Sequence, residues 1–237
     1  QAAHYARLAR DSADRPALSE DRPHAVLLQS LILMGAPDAE IEAVYAQART
    51  AFPEKAEFPL IYGTWAWETG YFARAREAYS EGVRLHEMYY RAGDFSGILA
   101  PAAYTRLGEA AELTGDAEGA AALYEHAVRQ NPHHVPALVC LIRLLRAAGA
   151  DDAALIEALN ALYGEEDAAF LASVLAGQGC PLAALYYDQR STLKFPLRRR
   201  FLLAGDVCSA AASLIEDLER SAALAAAREA AFAPEQQ

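Results

Sequence analysis

The sequence predicts an all-α chain built as a solenoid of antiparallel helix pairs, about six in number. Three observations carry that reading. Apolar residues recur at helical spacing throughout, with none of the Val/Ile/Thr alternation of strands. Gly and Pro stand at intervals that end helices: Gly35, Pro37, Gly70, Gly115, Pro132, Gly149, Gly179 and Gly205. A stretch of 34 residues, 101–134, then finds partial copies of itself on either side.

Residues 1–21 hold one short helical pattern, HYARLAR, followed by a Pro-interrupted polar link. Four repeat units follow, 22–55, 56–89, 101–134 and 135–168. In the clearest of them, 101–134, Tyr104 and Leu107 share the buried stripe of a first helix, and Gly108 lets the second helix approach closely. Gly115 ends the first helix, Asp116 caps the second, and Ala120, Tyr124 and Ala127 form the inner face of that second helix. Pro132 stops it. The matching positions are Tyr62, Gly63, Ala66, Gly70, Ala75 and Tyr79 in 56–89, and Leu138, Leu141, Gly149, Ala154 and Ala161 in 135–168. The first unit, 22–55, is the loosest copy, as terminal repeats are.

The segment YRAGDFSGILA, 90–100, breaks the period once. It reads equally as an extended helix with a loop or as a loop that touches a ligand. Beyond 168 the pattern weakens into shorter helix pairs over 169–220, around Gly179 and Gly205, where Ala184 and Ala210 follow the glycines. Residues 221–237 read as a capping helix, Ala222 to Phe232, and a tail.

The spacing of Tyr104, Leu107, Gly108, Ala111, Ala120, Tyr124, Ala127 and Pro132 resembles that of the tetratricopeptide repeat. The resemblance implies a right-handed superhelix whose first helices line a concave groove that holds a protein or peptide. The second, fifth, ninth and twelfth positions of the units would face that ligand, and the last three of these supply Leu60, Thr64 and Trp67; Thr105, Glu109 and Glu112; Val139, Arg143 and Arg146. Such a groove runs from apolar through acidic to an arginine pair, which either grips a carboxylate or phosphate or pairs with Glu109 and Glu112. Members of the family that bind chaperones use Lys and Asn where this chain has Thr105, Glu109 and Val139, so that ligand is not implied. Trp65 and Trp67 cannot share a helical face, and Trp67 is expected to be the exposed one. The order WETGYFARAREAYSEGV, the Tyr-rich break, then YTRLGEAAELTGDAEGAAALYEHAVRQNP and PALVCLIRLL is also similar to the repeat region that follows a family-2 glycosyltransferase domain in Gram-positive bacteria. That similarity implies an accessory module that positions an acceptor or mediates assembly.

A net charge of −11 opposes general binding to nucleic acid. The exception is Lys194 to Arg200, with four basic residues in seven positions, which reads as a solvated helix start or as a site for phosphate or an acidic partner. No run reaches the roughly 20 apolar residues of a membrane span, and no secretory signal is visible, so the expectation is a soluble, cytoplasmic protein. The chain opens on Gln1, as a processed, trimmed or partial protein would. Cys140, Cys180 and Cys208 lie far apart and read as reduced, apolar-packed thiols. The sequence offers no phosphate loop or nucleophile elbow, so no catalytic residue, cofactor or metal is expected. His126, His133 and His134 straddle a helix end and read as solvated histidines ahead of a metal site, and Glu165-Glu166-Asp167 as a helix start. Self-association through the apolar ends is a third mode of interaction.

Overall fold

A computed structural model describes residues 21–206, together with His4 and Arg7. Of the expected helix at HYARLAR only His4 and Arg7 are described, both helical, and the helix at Ala222 to Phe232, Cys208 and Ala210 lie outside the described residues. Those residues are all-helical, with no strand among them. The helices are α1 (Arg22–Leu33), α2 (Asp38–Ala51), α3 (Glu57–Glu68), α4 (Phe72–Tyr89), α5 (Ser96–Leu113), α6 (Ala117–Gln130) and α7 (Val135–Ala147). There follow α8 (Asp152–Asn160), a short 3-10 turn (Glu165–Asp167), α9 (Ala168–Gly177), α10 (Pro181–Arg190) and α11 (Leu197–Leu203). None is long and apolar enough to cross a membrane. The chain forms two compact units, Gln1–Leu144 and Leu145–Gln237.

Successive helices turn back through the same closure. After the glycines at 35, 70, 115, 149 and 179 the next N–H donates to the carbonyl five residues earlier, for example Tyr71 to Ala66 at 2.7 Å and Asp116 to Ala111 at 3.0 Å. This 6→1 bond satisfies the end of the helix and requires a left-handed residue at the turn. Gly70 and Gly115 supply it with φ of 86° and 82°. At the 115 turn the carboxylate of Asp116 then accepts the Gly119 N–H at 2.9 Å, capping α6.

Within the first unit, α3 pairs with α4 and α5 with α6 through one kind of contact. A Cβ on Gly63 would lie 2.7 Å from the Tyr79 ring, and one on Gly108 would lie 2.5 Å from the Tyr124 ring. Glycine is therefore required on the first helix, where a flat aromatic ring of the second fills the space that a side chain would take. Gly82 repeats the device in reverse, with Leu60 pressed against it. The core is densest at α3, where Phe58, Leu60, Ile61, Tyr62, Trp65 and Ala66 are all buried.

The break at 90–100 divides in two. Ser96 to Ala100 extend α5 at its start and leave Tyr90 to Phe95 as the connection. Pro101 lies inside the helix and forgoes one intrahelical hydrogen bond. Its ring is buried together with Ala100 and Ala103.

In the second unit the basic stretch after α10 is anchored to the protein. Lys194 Nζ donates to the carbonyls of Asp188 (2.8 Å) and Gln189 (2.6 Å), at the negative end of α10. Asp188, 0% exposed, accepts the Phe195 N–H at 2.6 Å and is ion-paired with Arg200 at 2.8 Å. Arg199 lies over the Phe195 ring at 4.1 Å. Lys194, Arg199 and Arg200 thus hold the 191–196 loop in place, which neither sequence reading of this cluster anticipated. Asp188→Ala leaves the Arg200 guanidinium and the Phe195 N–H without their acceptor and should cost about 2 kcal/mol. Limited trypsin digestion followed by mass mapping checks it: cleavage after Lys194 should be slow in the wild type and markedly faster in the variant.

Candidate interaction face

Three first helices, α3, α5 and α7, bring most of the groove residues named from the sequence together in the first unit. They do not present them equally. Leu60 is 0% exposed and Thr105 only 3%, so both are core residues and cannot meet a ligand. Leu60 belongs to the Gly82 contact, and the Thr105 hydroxyl is satisfied inside its helix by the Pro101 carbonyl at 2.8 Å. Val139 is half-buried. Thr64 is exposed and donates to the Leu60 carbonyl at 3.0 Å, while the Tyr79 hydroxyl donates to Thr64 Oγ1 at 3.3 Å.

Trp65 is buried and Trp67 half-exposed, as their spacing predicts. The Trp67 indole meets Phe72 edge-on at 5.2 Å and carries the Arg106 guanidinium 5.2 Å from its ring centre, a cation–π contact from α5 onto α3. Arg106 also donates to Glu109 at 2.8 Å. Glu112, one turn further along α5, accepts from the Tyr124 hydroxyl and from Arg143 of α7 at 2.7 Å. The expected arginine pair does not act as one. Arg143 crosses to Glu112, whereas Arg146 turns to Asp152 and to the Ala150 carbonyl, both in the second unit.

The face is therefore a row of coupled side chains, Trp67, Arg106 and Glu109 followed by Glu112 and Arg143. The carboxylates already have cationic partners, so the acidic middle of the sequence reading is electrically balanced. Two contributors went unnamed in the sequence. Arg106 stands three residues before Glu109, a helical ion-pair spacing that would have revealed it. Tyr124 was assigned to the core, and its ring is there, but its hydroxyl emerges beside Glu112. The Tyr124 phenol is pushed well above its ordinary value, first by burial and then by Glu112, so it stays a donor at any physiological pH.

Cys140 lies half-buried against the same row, its sulfur 4.0 Å from Glu109. Burial, then the Glu109 charge, raise its thiol above the usual range, with Arg143 opposing. The histidines go to separate contacts: His126 sits 4.3 Å from the Tyr104 ring and 3.1 Å from Gln130, while His133 and His134 lie in the turn before α7. Among the described residues no three His, Cys, Asp or Glu side chains are grouped to hold a metal ion. Neither the models of known protein families nor the curated proteins match this chain.

A raised pKa means less thiolate at a given pH, and thiolate is the nucleophile. Removing the neighbouring charge with Glu109→Gln should lower the Cys140 pKa and speed its alkylation by iodoacetamide at pH 8 severalfold. Peptide mapping by mass spectrometry reads Cys140 apart from the other two cysteines, and an unchanged rate would show that Glu109 does not bear on the thiol.

Proposed function

We propose that this chain is a non-catalytic scaffold of the tetratricopeptide type that holds a protein or peptide segment along the face formed by α3, α5 and α7. The observation that carries the reading is the row from Trp67 to Arg143. A half-exposed tryptophan and surface arginines are the residues that dominate binding energy at protein interfaces. Here they are held by Phe72, Glu109 and Glu112 before any partner arrives, which reduces the entropy lost on binding.

The repeat assignment is supported by recurrence. The Gly63–Tyr79 and Gly108–Tyr124 contacts occupy the same places in their helix pairs, and the 6→1 turn closure returns after the glycines at 35, 70, 115, 149 and 179. Within the first unit the pairs α1/α2, α3/α4 and α5/α6 pack on one another in chain order, as repeat units do. A superhelical solenoid with the first helices on its inner side is the arrangement these features favour. Cys140 and Cys180 are free thiols, and a cytoplasmic setting belongs to the same reading.

Selection of a displayed peptide library on the immobilised chain supplies ligands, and calorimetry measures their affinity. Trp67→Ala and Arg143→Glu, each checked for helicity by circular dichroism, should weaken the selected peptides at least tenfold, roughly 1.4 kcal/mol. Peptides that bind both variants as well as the wild type, or a library that yields no enriched sequence, would sink the proposal.

A further inference from the structure

The cleft at Glu57 comprises two hollows beside the Tyr90 to Phe95 connection, of about 310 Å³ and about 590 Å³. Their linings mix Asp21, Glu54, Glu57 and Asp94 with Arg22, Lys55 and Arg91, so carboxylates and cations are interleaved there. The second unit holds a corner of another kind, where cations are ordered without carboxylates to neutralise them.

That corner is the last turn of α10 with the loop and helix that follow it. Three cations gather there, and each is held by a neutral group. The Arg190 guanidinium lies 3.5 Å from the centre of the Tyr186 ring and gives one of its five N–H groups to the Tyr186 carbonyl at 3.4 Å. Lys194 uses two of its three N–H donors on the carbonyls of Asp188 and Gln189. Arg199 lies over the Phe195 ring. Arg200 is the cation here that meets a carboxylate, and it takes the buried one, Asp188.

A ring face or a carbonyl fixes where a cation points yet leaves its charge to act on a ligand. The carbonyls that end α10 offset about half an elementary charge. Glu165, on the rim of the hollow beside Arg190, offsets one more without pairing to it. Together they fall short of three. The corner is therefore positive in a chain whose net charge is −11. Its donors are already ordered, which reduces the entropy lost when an anion binds, and a guanidinium stacked on a ring still offers an N–H edge that fits a carboxylate. Apolar surface lies on the same segment: Leu193 is 75% exposed and Leu202 53%.

The range of these charges selects the class of anion. At physiological salt they act over about 8 Å. A nucleic acid or an anionic bilayer spans more than that and also meets the acidic remainder of the chain, whereas a short peptide meets the corner alone.

We propose that this corner binds an acidic peptide segment, its carboxylates on Arg190, Lys194 and Arg199 and an aliphatic side chain on Leu193 or Leu202. The inference is independent of the face on α3, α5 and α7, because it rests on other residues in the other unit. The probe is a short peptide of glutamates and leucines, blocked at both ends, titrated into the isotope-labelled full chain and followed by NMR, with glutamine in place of glutamate as the neutral control. The acidic peptide should bind saturably, at least tenfold more tightly than the control, and severalfold more weakly when sodium chloride rises from about 50 to about 300 mM. Arg190→Gln and Arg199→Gln combined should lose at least tenfold, while Trp67→Ala binds as the wild type does. Neither arginine anchors Asp188, so the double variant should keep its helicity by circular dichroism. Should it fail to fold, Arg190→Gln alone, on an exposed side chain, is expected to lose about threefold. Absence of saturation, equal binding of the glutamine peptide, or a folded double or Arg190→Gln variant that binds like the wild type would overturn the assignment. So would co-sedimentation of the chain with vesicles containing one quarter phosphatidylserine that the acidic peptide does not displace.

Discussion

The distance between the two helices of a pair is set where Tyr79 lies on Gly63 and Tyr124 on Gly108. No other residue fits on the first helix at those points, because a methyl group would fall inside the ring of the second. The contact is dispersive and dense, and it is strong only when the void is filled completely. Glycine in mid-helix is itself unfavourable by close to 1 kcal/mol relative to alanine. The two glycines persist because the aromatic packing above them offsets that cost.

The same tyrosines join the core to the surface. Each ring fills the glycine gap while its hydroxyl reaches the outer row: Tyr79 to Thr64 on α3, and Tyr124 to Glu112 on α5. Glu112 then fixes Arg143 on the next first helix, and Arg106 ties Trp67 to Glu109. Spacing of the helices and placement of the face are thus one event, so a change in the packing under the face would alter what the face presents. The cleft at Glu57 is built differently. It depends on the Tyr90 to Phe95 connection, and its walls come from elements that are distant in sequence, from Asp21 through Ile98.

Much of this was legible in the chain because the signals are local. Helix ends follow from Gly70, Gly115 and Asp116, the choice between Trp65 and Trp67 follows from the helical period, and one of the two possible Arg–Glu crossings, Arg143 to Glu112, was foreseen. Leu60 was misjudged because a repeat position outweighed its surroundings: it lies within the buried run from Phe58 to Tyr62 and packs against Gly82 of the next helix. Thr105 resembles a surface residue until its hydroxyl finds the Pro101 carbonyl. Arg146, Lys194 and Arg200 were read by charge alone, and their partners Asp152 and Asp188 come from other turns and helices that no spacing rule identifies. The cleft had no signature at all, since it appears only when three separate stretches of chain meet, 21–29, 54–57 and 85–98.

The dependence of the fold on the glycine–tyrosine contact is tested most directly by a double-mutant cycle on Gly108 and Tyr124, read by urea denaturation. With Tyr124 present, Gly108→Ala should destabilise by roughly 1–3 kcal/mol, the usual cost of overpacking. In a Tyr124→Leu background the same substitution should be neutral or should stabilise by up to about 1 kcal/mol, because alanine then contributes only its better helix propensity. An equal effect of Gly108→Ala in both backgrounds would contradict the account, since the glycine would then be serving something other than the ring above it.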